Sequence, residues 1–188
     1  MAVRAVATTD YLADPEDLAI WLGVPANDPK LLQALGAASS RFRGAVRHYV
    51  SLVADDTVTL DGNGKESLLL PAAPVTAVAS VELDGEALAE GTDYEWSADG
   101  FLRRVGGCWP DRLRCVDVVW SHGYEPIPED VSEVVADQAR AQYAVRPGLT
   151  SMTVGGQSVA FGAQASIGVT SQWTTAVEKY QLNRGDSP

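Results

Sequence analysis

Two histidines, two cysteines and one lysine-bearing glycine loop are the residues whose types and spacing offer chemistry in this chain. The loop Gly62-Asn63-Gly64-Lys65-Glu66-Ser67 has the outline of a phosphate cradle. Its lysine is followed by Glu66 where a magnesium-binding Ser or Thr is needed, and Thr59 stands in the place of the first glycine. As a calcium loop it fails too, because Lys65 occupies a position for an oxygen ligand and Glu66 the position of the sharp-turn glycine. His48 and His122 have no Cys, His or Glu at metal-binding spacing, so each reads as a surface or core-edge histidine. Cys108 and Cys115 match no zinc pattern and are too few for a disulfide framework; they read as partly buried free thiols in strands, with a cross-strand disulfide as the alternative. No Gly-x-Ser-x-Gly elbow is present. The carboxylate pairs Glu16/Asp17 and Glu129/Asp130 fall at helix starts, where they favour the helix dipole. The expectation is a protein with no catalytic residues, no metal and no cofactor.

Charge narrows the partners. The 188 residues carry 14 Lys and Arg against 25 Asp and Glu, a formal net charge of −11, which disfavours nonspecific wrapping of nucleic acid. Such a surface instead lets DNA pass without sticking. Arg41, Arg43, Arg47 and His48 form one local basic cluster near the end of a helix, where positive charge complements the dipole. Arg184-Gly185-Asp186 spells an adhesion tripeptide in a polar tail and is read as chance. A composition 46% hydrophobic and 21% charged is that of a globular domain. The start of the sequence lacks a signal-peptide pattern and no stretch approaches a membrane span, so synthesis in the cytosol is expected.

The elements that must position these residues follow from caps and periods. Asp14-Pro15-Glu16-Asp17 opens a short helix with Leu18, Ile20, Trp21 and Leu22 as its apolar side, and Gly23 closes it. Asp28-Pro29 opens a longer helix whose stripe is Leu31, Leu35, Ala38, Phe42, Val46 and Tyr49. From Thr57 the period shortens to that of strands. Thr57–Leu60, the turn Asp61-Gly62-Asn63-Gly64 and a return ending at Leu70 read as a hairpin. Val78–Leu83, a turn at Asp84-Gly85, Tyr94–Trp96, Phe101–Val105 and Cys115–Trp120 complete a small antiparallel sheet with one buried face. Pro126 and Pro128 stop the sheet and start a helix with Val131, Val134, Val135, Ala139 and Tyr143 on its apolar side. After Leu149 the chain turns rich in Gly, Ser, Thr, Ala and Gln, with a weak hairpin around Gly155-Gly156 and a helical pattern from Thr174 to Leu182. A tail with Val154, Val159, Phe161, Trp173, Val177 and Tyr180 is expected to be ordered by a partner.

The order of these parts resembles one family. The short helix Asp14–Leu22 and the long one after Asp28 are followed by Leu70-Pro71-Ala72-Ala73-Pro74-Val75 and Val78–Gly85. Then come Asp93-Tyr94-Glu95-Trp96, Gly100-Phe101-Leu102-Arg103, Trp109-Pro110, Val116–Trp120 with His122-Gly123-Tyr124, and Ile127-Pro128-Glu129-Asp130-Val131 with its helix. Over most of residues 10 to 145 this is similar to the head-to-tail connectors, or portal adaptors, of tailed bacteriophages.

The resemblance implies an α+β fold: a small helical bundle of short, long and post-strand helices with inserted antiparallel β-hairpins and a flexible C-terminal tail. It divides the chain into an N-terminal arm (1–13), a connector domain (14–147) and a portal-contacting segment (148–188). It further implies a virion structural protein of the neck, assembled as a homo-oligomeric, commonly dodecameric ring. Portal protein would lie above, head-closure or tail-terminator protein below, and DNA would cross the channel during packaging and ejection without sequence-specific binding. Rings need two complementary faces per subunit. Ring-interface candidates are Leu35, Phe42, Val46 and Tyr49; portal-contact candidates are Phe161, Trp173, Val177 and Tyr180. Other readings are a different ring component, such as a head-closure or tail-terminator protein, and a small non-viral binding module or hydrolase.

Overall fold

The computed structural model describes residues 11–144, 151–154, 157–160 and 170–182, with backbone alone for 151–154 and 157–160. In chain order the elements are α1 (Pro15–Leu22), α2 (Pro29–Val46), β1 (Val53–Leu60), β2 (Ser67–Leu69), β3 (Val75–Leu83), β4 (Glu86–Leu88), β5 (Tyr94–Trp96), β6 (Phe101–Arg104), β7 (Val116–His122), α3 (Glu129–Ala144), β8 (Ser151–Val154), β9 (Gln157–Ala160) and α4 (Ser171–Tyr180). They fall into two compact units. One is helical and takes the chain up to Val46 and again from Ile127 to Tyr180; the other is a β unit built from Arg47 to Pro126, with residues 181 and 182.

In the helical unit the caps are those the sequence signals. Asp14 Oδ1 accepts from the Glu16 N–H at 2.8 Å, and Pro15 needs no partner for the N–H it lacks. At the other end Gly23 is left-handed, with φ 66°. The Gly23 and Val24 N–H groups donate back to Ile20 and Ala19, the double bond of a Schellman cap. Asp28 Oδ1 accepts from Leu31 at 2.8 Å and starts α2 the same way. Leu31, Leu35, Ala38, Phe42 and Val46 then run along one side of α2, all fully buried. That stripe is the spine of the unit, and α1, α3 and α4 all pack against α2. Ser39 ties in the segment before α1: its hydroxyl accepts from the Leu12 N–H at 3.1 Å and donates to Leu35 O at 2.8 Å.

α1 departs from the expected apolar side. Leu18 and Ala19 are buried, but Ile20 and Trp21 are 78% and 76% exposed. With eight residues the helix has one narrow buried strip, and Leu18 and Ala19 fill it. Tyr49 and His48 lie beyond the end of α2, because Arg47 takes a left-handed conformation that terminates the helix. The bundle also gains a fourth helix: α4 begins at Ser171 rather than Thr174, where Thr170 Oγ1 accepts from the Trp173 N–H at 3.2 Å. The hairpin around residues 155–156 is present as the antiparallel pair β8 and β9, from Ser151 opposite Ala160 to Val154 opposite Gln157.

In the β unit two sheets replace the single one expected. One has the order β1-β7-β3-β4 and the other β2-β6-β5, every pairing antiparallel. Leu68, Leu70, Tyr94 and Leu102 of the smaller sheet and its surroundings share one core with Val81, Val116, Val118 and Trp120 of the larger. Alternation explains the larger sheet's buried face, since Val116, Val118, Trp120 and His122 are buried in turn along β7. Trp109 is fully buried in that core and its indole N–H donates to Leu102 O at 3.2 Å.

The hairpin expected from Thr57 to Leu70 is not formed: β1 pairs with β7 and β2 with β6. The reason lies at Gly62. A Cβ there would sit 1.8 Å from the Pro110 carbonyl oxygen, so this loop is the crossing point of two chain segments. Gly62 N–H donates to Arg112 O, and Asp61 accepts from the Arg114 N–H at 2.7 Å. The Asp84-Gly85 turn is as expected, with both residues at positive φ between β3 and β4. At the base of the unit Tyr124 N–H donates to Val50 O and Leu52 N–H to Tyr124 O, so entry and exit run side by side.

Candidate functional site

The residues singled out for chemistry are dispersed or structural. His122 is buried in β7, with its ring 4.2 Å from that of Trp120 and Nε2 3.2 Å from Asp56 Oδ2 of β1. The pair ties two neighbouring strands, and Ser121 beside it accepts from the Asp55 backbone. His48 is also buried, with Nδ1 2.9 Å from Tyr49 O. Neither thiol lies in a strand: Cys115, just before β7, is a buried free thiol whose Sγ donates to Arg112 O, and Cys108 is free and exposed in a loop. Lys65 lies in an exposed loop whose Asn63 side chain folds back onto Lys65 N–H and Ser67 O, a turn with no cradle. Among the described residues no group of three His, Cys, Asp or Glu could hold a metal ion. None of their helices is long and apolar enough to cross a membrane.

What remains is surface. Leu35, Phe42 and Val46 form the interior of their own helical unit, so of the four ring-interface candidates Tyr49 alone reaches solvent, at 42% exposure. Two other large apolar side chains that reach solvent belong to the side of the first helix expected to face a core. Ile20 and Trp21 stand out on α1, with Arg140 of α3 5.2 Å from the Trp21 ring centre. In the β unit Phe101 and Leu113 are 52% and 75% exposed. Their signal in the sequence is weak, since an apolar residue reads the same whether its own subunit or another covers it.

The C-terminal candidates are docked. Trp173 and Tyr180 are buried, Val177 is half-buried, and Phe161 lies outside the described residues. Trp173 meets Phe42 edge to face, with ring centres 5.2 Å apart. Asp130, at the start of α3, accepts from Tyr180 Oη at 2.8 Å and from Lys179 Nζ at 2.7 Å. Partial burial pulls the Asp130 carboxyl upward, but the Lys179 and Tyr180 hydrogen bonds, the lysine charge and the Val131 N–H outweigh it and hold the group below its ordinary range. The hydrogen bond to Asp130 raises the Lys179 ammonium in turn. Burial first, then the bond to Asp130, raises the Tyr180 phenol.

The chain matches the family model described as head completion protein over residues 16–181. Among curated proteins no sequence matches it. Solved structures share the fold, three of them from one kind of particle. A chain in the neck of a native gene transfer agent particle, computed with twelvefold symmetry, superposes with a TM-score of 0.61 at 19% identity, covering 100% of both chains. The neck of the empty particle, computed with sixfold symmetry, gives 0.63 at 19% over the same coverage. A chain of the native virion gives 0.59 at 18%, covering 98% of this chain and 94% of that one.

Proposed function

The chain belongs to the head completion protein family, and from that premise we propose that it is a ring-forming head-to-tail connector in the neck of a tailed phage or phage-like particle. It is a structural protein of the particle and not an enzyme, as the family implies. The observation that carries the proposal is the fold likeness along the whole chain to subunits of necks with twelvefold and sixfold symmetry. In this reading the ring, commonly of twelve copies, docks under the portal, carries head-closure or tail proteins below and leaves a central channel for DNA.

Two features of the chain suit that role. A net charge of −11 favours passage of DNA over retention, so acidic side chains are assigned to the channel wall. The C-terminal segment is assigned to the portal face, where engagement by Trp173, Val177 and Tyr180 requires α4 to leave its place on α2 and α3. Mixing the chain with isolated portal rings and imaging the product by electron microscopy tests the role. Rings coaxial with the portal are expected. A chain that stays monomeric and never joins portal rings, or a ring with a dominantly basic lumen, overturns the respective part.

A further inference from the structure

We infer that the exposed apolar end of α1 in one copy seats on the outward side of α2 in the next copy; this rests on the ring reading above. A closed ring of identical subunits needs two different, complementary faces on each. The helical unit carries such a pair. On α1, Asp17, Ile20 and Trp21 are three and four positions apart and share one side, all exposed, with Glu16 adjacent. An exposed isoleucine and tryptophan together on a helix of eight residues form an apolar knob with Glu16 and Asp17 at one end and Arg140 of α3 beside the tryptophan ring.

On α2, Lys30, Gln33, Ala37, Ser40, Arg41 and Gly44 are all exposed and fall within one side of the helix. α2 contains no acidic residue, so that side is basic where α1 is acidic. Between Gln33 and Arg41 the side chains on that side, Ala37 and Ser40, are short, and at Gly44 an added Cβ meets nothing within 4 Å. A protruding Trp and Ile can lie along such a side without displacing a large residue, with Asp17 and Glu16 near Arg41. The two sides differ in both shape and charge, which makes the contact head to tail and able to propagate around a ring. Tryptophan is among the residue types that most often dominate such contacts.

Cross-linking tests the contact in the full chain carrying Cys108→Ser. Ile20→Cys and Ser40→Cys are made in separate batches, mixed under ring-forming conditions, alone or on portal rings, and treated with a short bifunctional maleimide. Covalent dimers that need both variants are expected, with either variant alone giving none. Rings that form while the mixture gives no such dimer overturn the contact and leave the ring reading intact. A chain that forms no ring in either setting overturns the ring reading, and the contact with it. Trp21→Ser is expected to weaken ring assembly about tenfold or more while leaving helix content and melting temperature as they are; assembly as tight as before counts against the contact.

Discussion

The Tyr180 hydroxyl donates to Asp130 Oδ1 across 2.8 Å, joining residues 50 positions apart and fixing the end of α4 to the start of α3. Lys179 holds the other oxygen of the same carboxylate. Two of the contacts that hold α4 therefore run through one carboxylate.

The pH dependence follows from the signs. Asp130 is held below its ordinary value, so its contribution to docking is present above the carboxylate range and lost as pH falls through the folded-state value. Lys179 and Tyr180 are raised, so theirs is present below their ordinary values and lost as pH climbs beyond them. Protection of the α4 amides, the exchange rate relative to the intrinsic rate at each pH, should be greatest near neutral pH and fall in acid and in strong alkali. In Asp130→Asn the acid limb should flatten. Tyr180→Phe should cost about 1.5 kcal/mol, as one part-buried hydrogen bond to an ionised carboxylate.

Trp173 carries more of the docking. Truncating a buried tryptophan to alanine costs about 3–5 kcal/mol, and Trp173 is only 5% exposed. Trp173→Ala should expose α4 to exchange and protease while α2 and α3 stay protected. A double-mutant cycle with Phe42→Ala should return a coupling of about 1 kcal/mol for the edge-to-face pair. Additive effects would mean that the rings merely lie close.

Gly62→Ala should be among the most damaging single methyls in the β unit. Its Cβ would meet the Pro110 carbonyl oxygen at 1.8 Å and the Cys115 sulfur at 3.0 Å, so backbone must move. A loss of about 2 kcal/mol or more is expected by denaturant titration. Gly107→Ala, where nothing lies within 4 Å and φ is not in the left-handed region, is the matched control and should be near neutral.

The two thiols should differ in access to reagents. Cys108 is exposed and Cys115 buried. An aromatic disulfide reagent should therefore modify one thiol quickly in the native protein and the second only on unfolding. Two fast thiols would mean that the loop before β7 opens readily.

Local chemistry made the helices legible: Asp14-Pro15, Asp28-Pro29 and Gly23 act within a few residues of where they stand. Strand partners were less legible. The alternation of β7 announces which side chains are buried, but a period of two says nothing about which strand lies alongside. The turn signal at Asp61-Gly62-Asn63-Gly64 suggested a local hairpin, and the true reason for Gly62 is a segment nearly 50 residues later. The tail's Trp173, Val177 and Tyr180 showed helical spacing, yet nothing in their spacing could tell docking on their own bundle from docking on a partner. Ile20 and Trp21 pose the converse case, apolar residues that their own subunit leaves uncovered.

The β unit is closed at its own base. Val50, Ser51 and Leu52 run beside Gly123 and Tyr124, and Gly123 lies so near Ser51 that an added Cβ would be 2.3 Å from its carbonyl oxygen. The segment 47–126 thus leaves and returns side by side within its own unit. A change of loop length within its sheets therefore need not alter the spacing of its two ends, which is set by the Val50–Leu52 and Gly123–Tyr124 pairing alone.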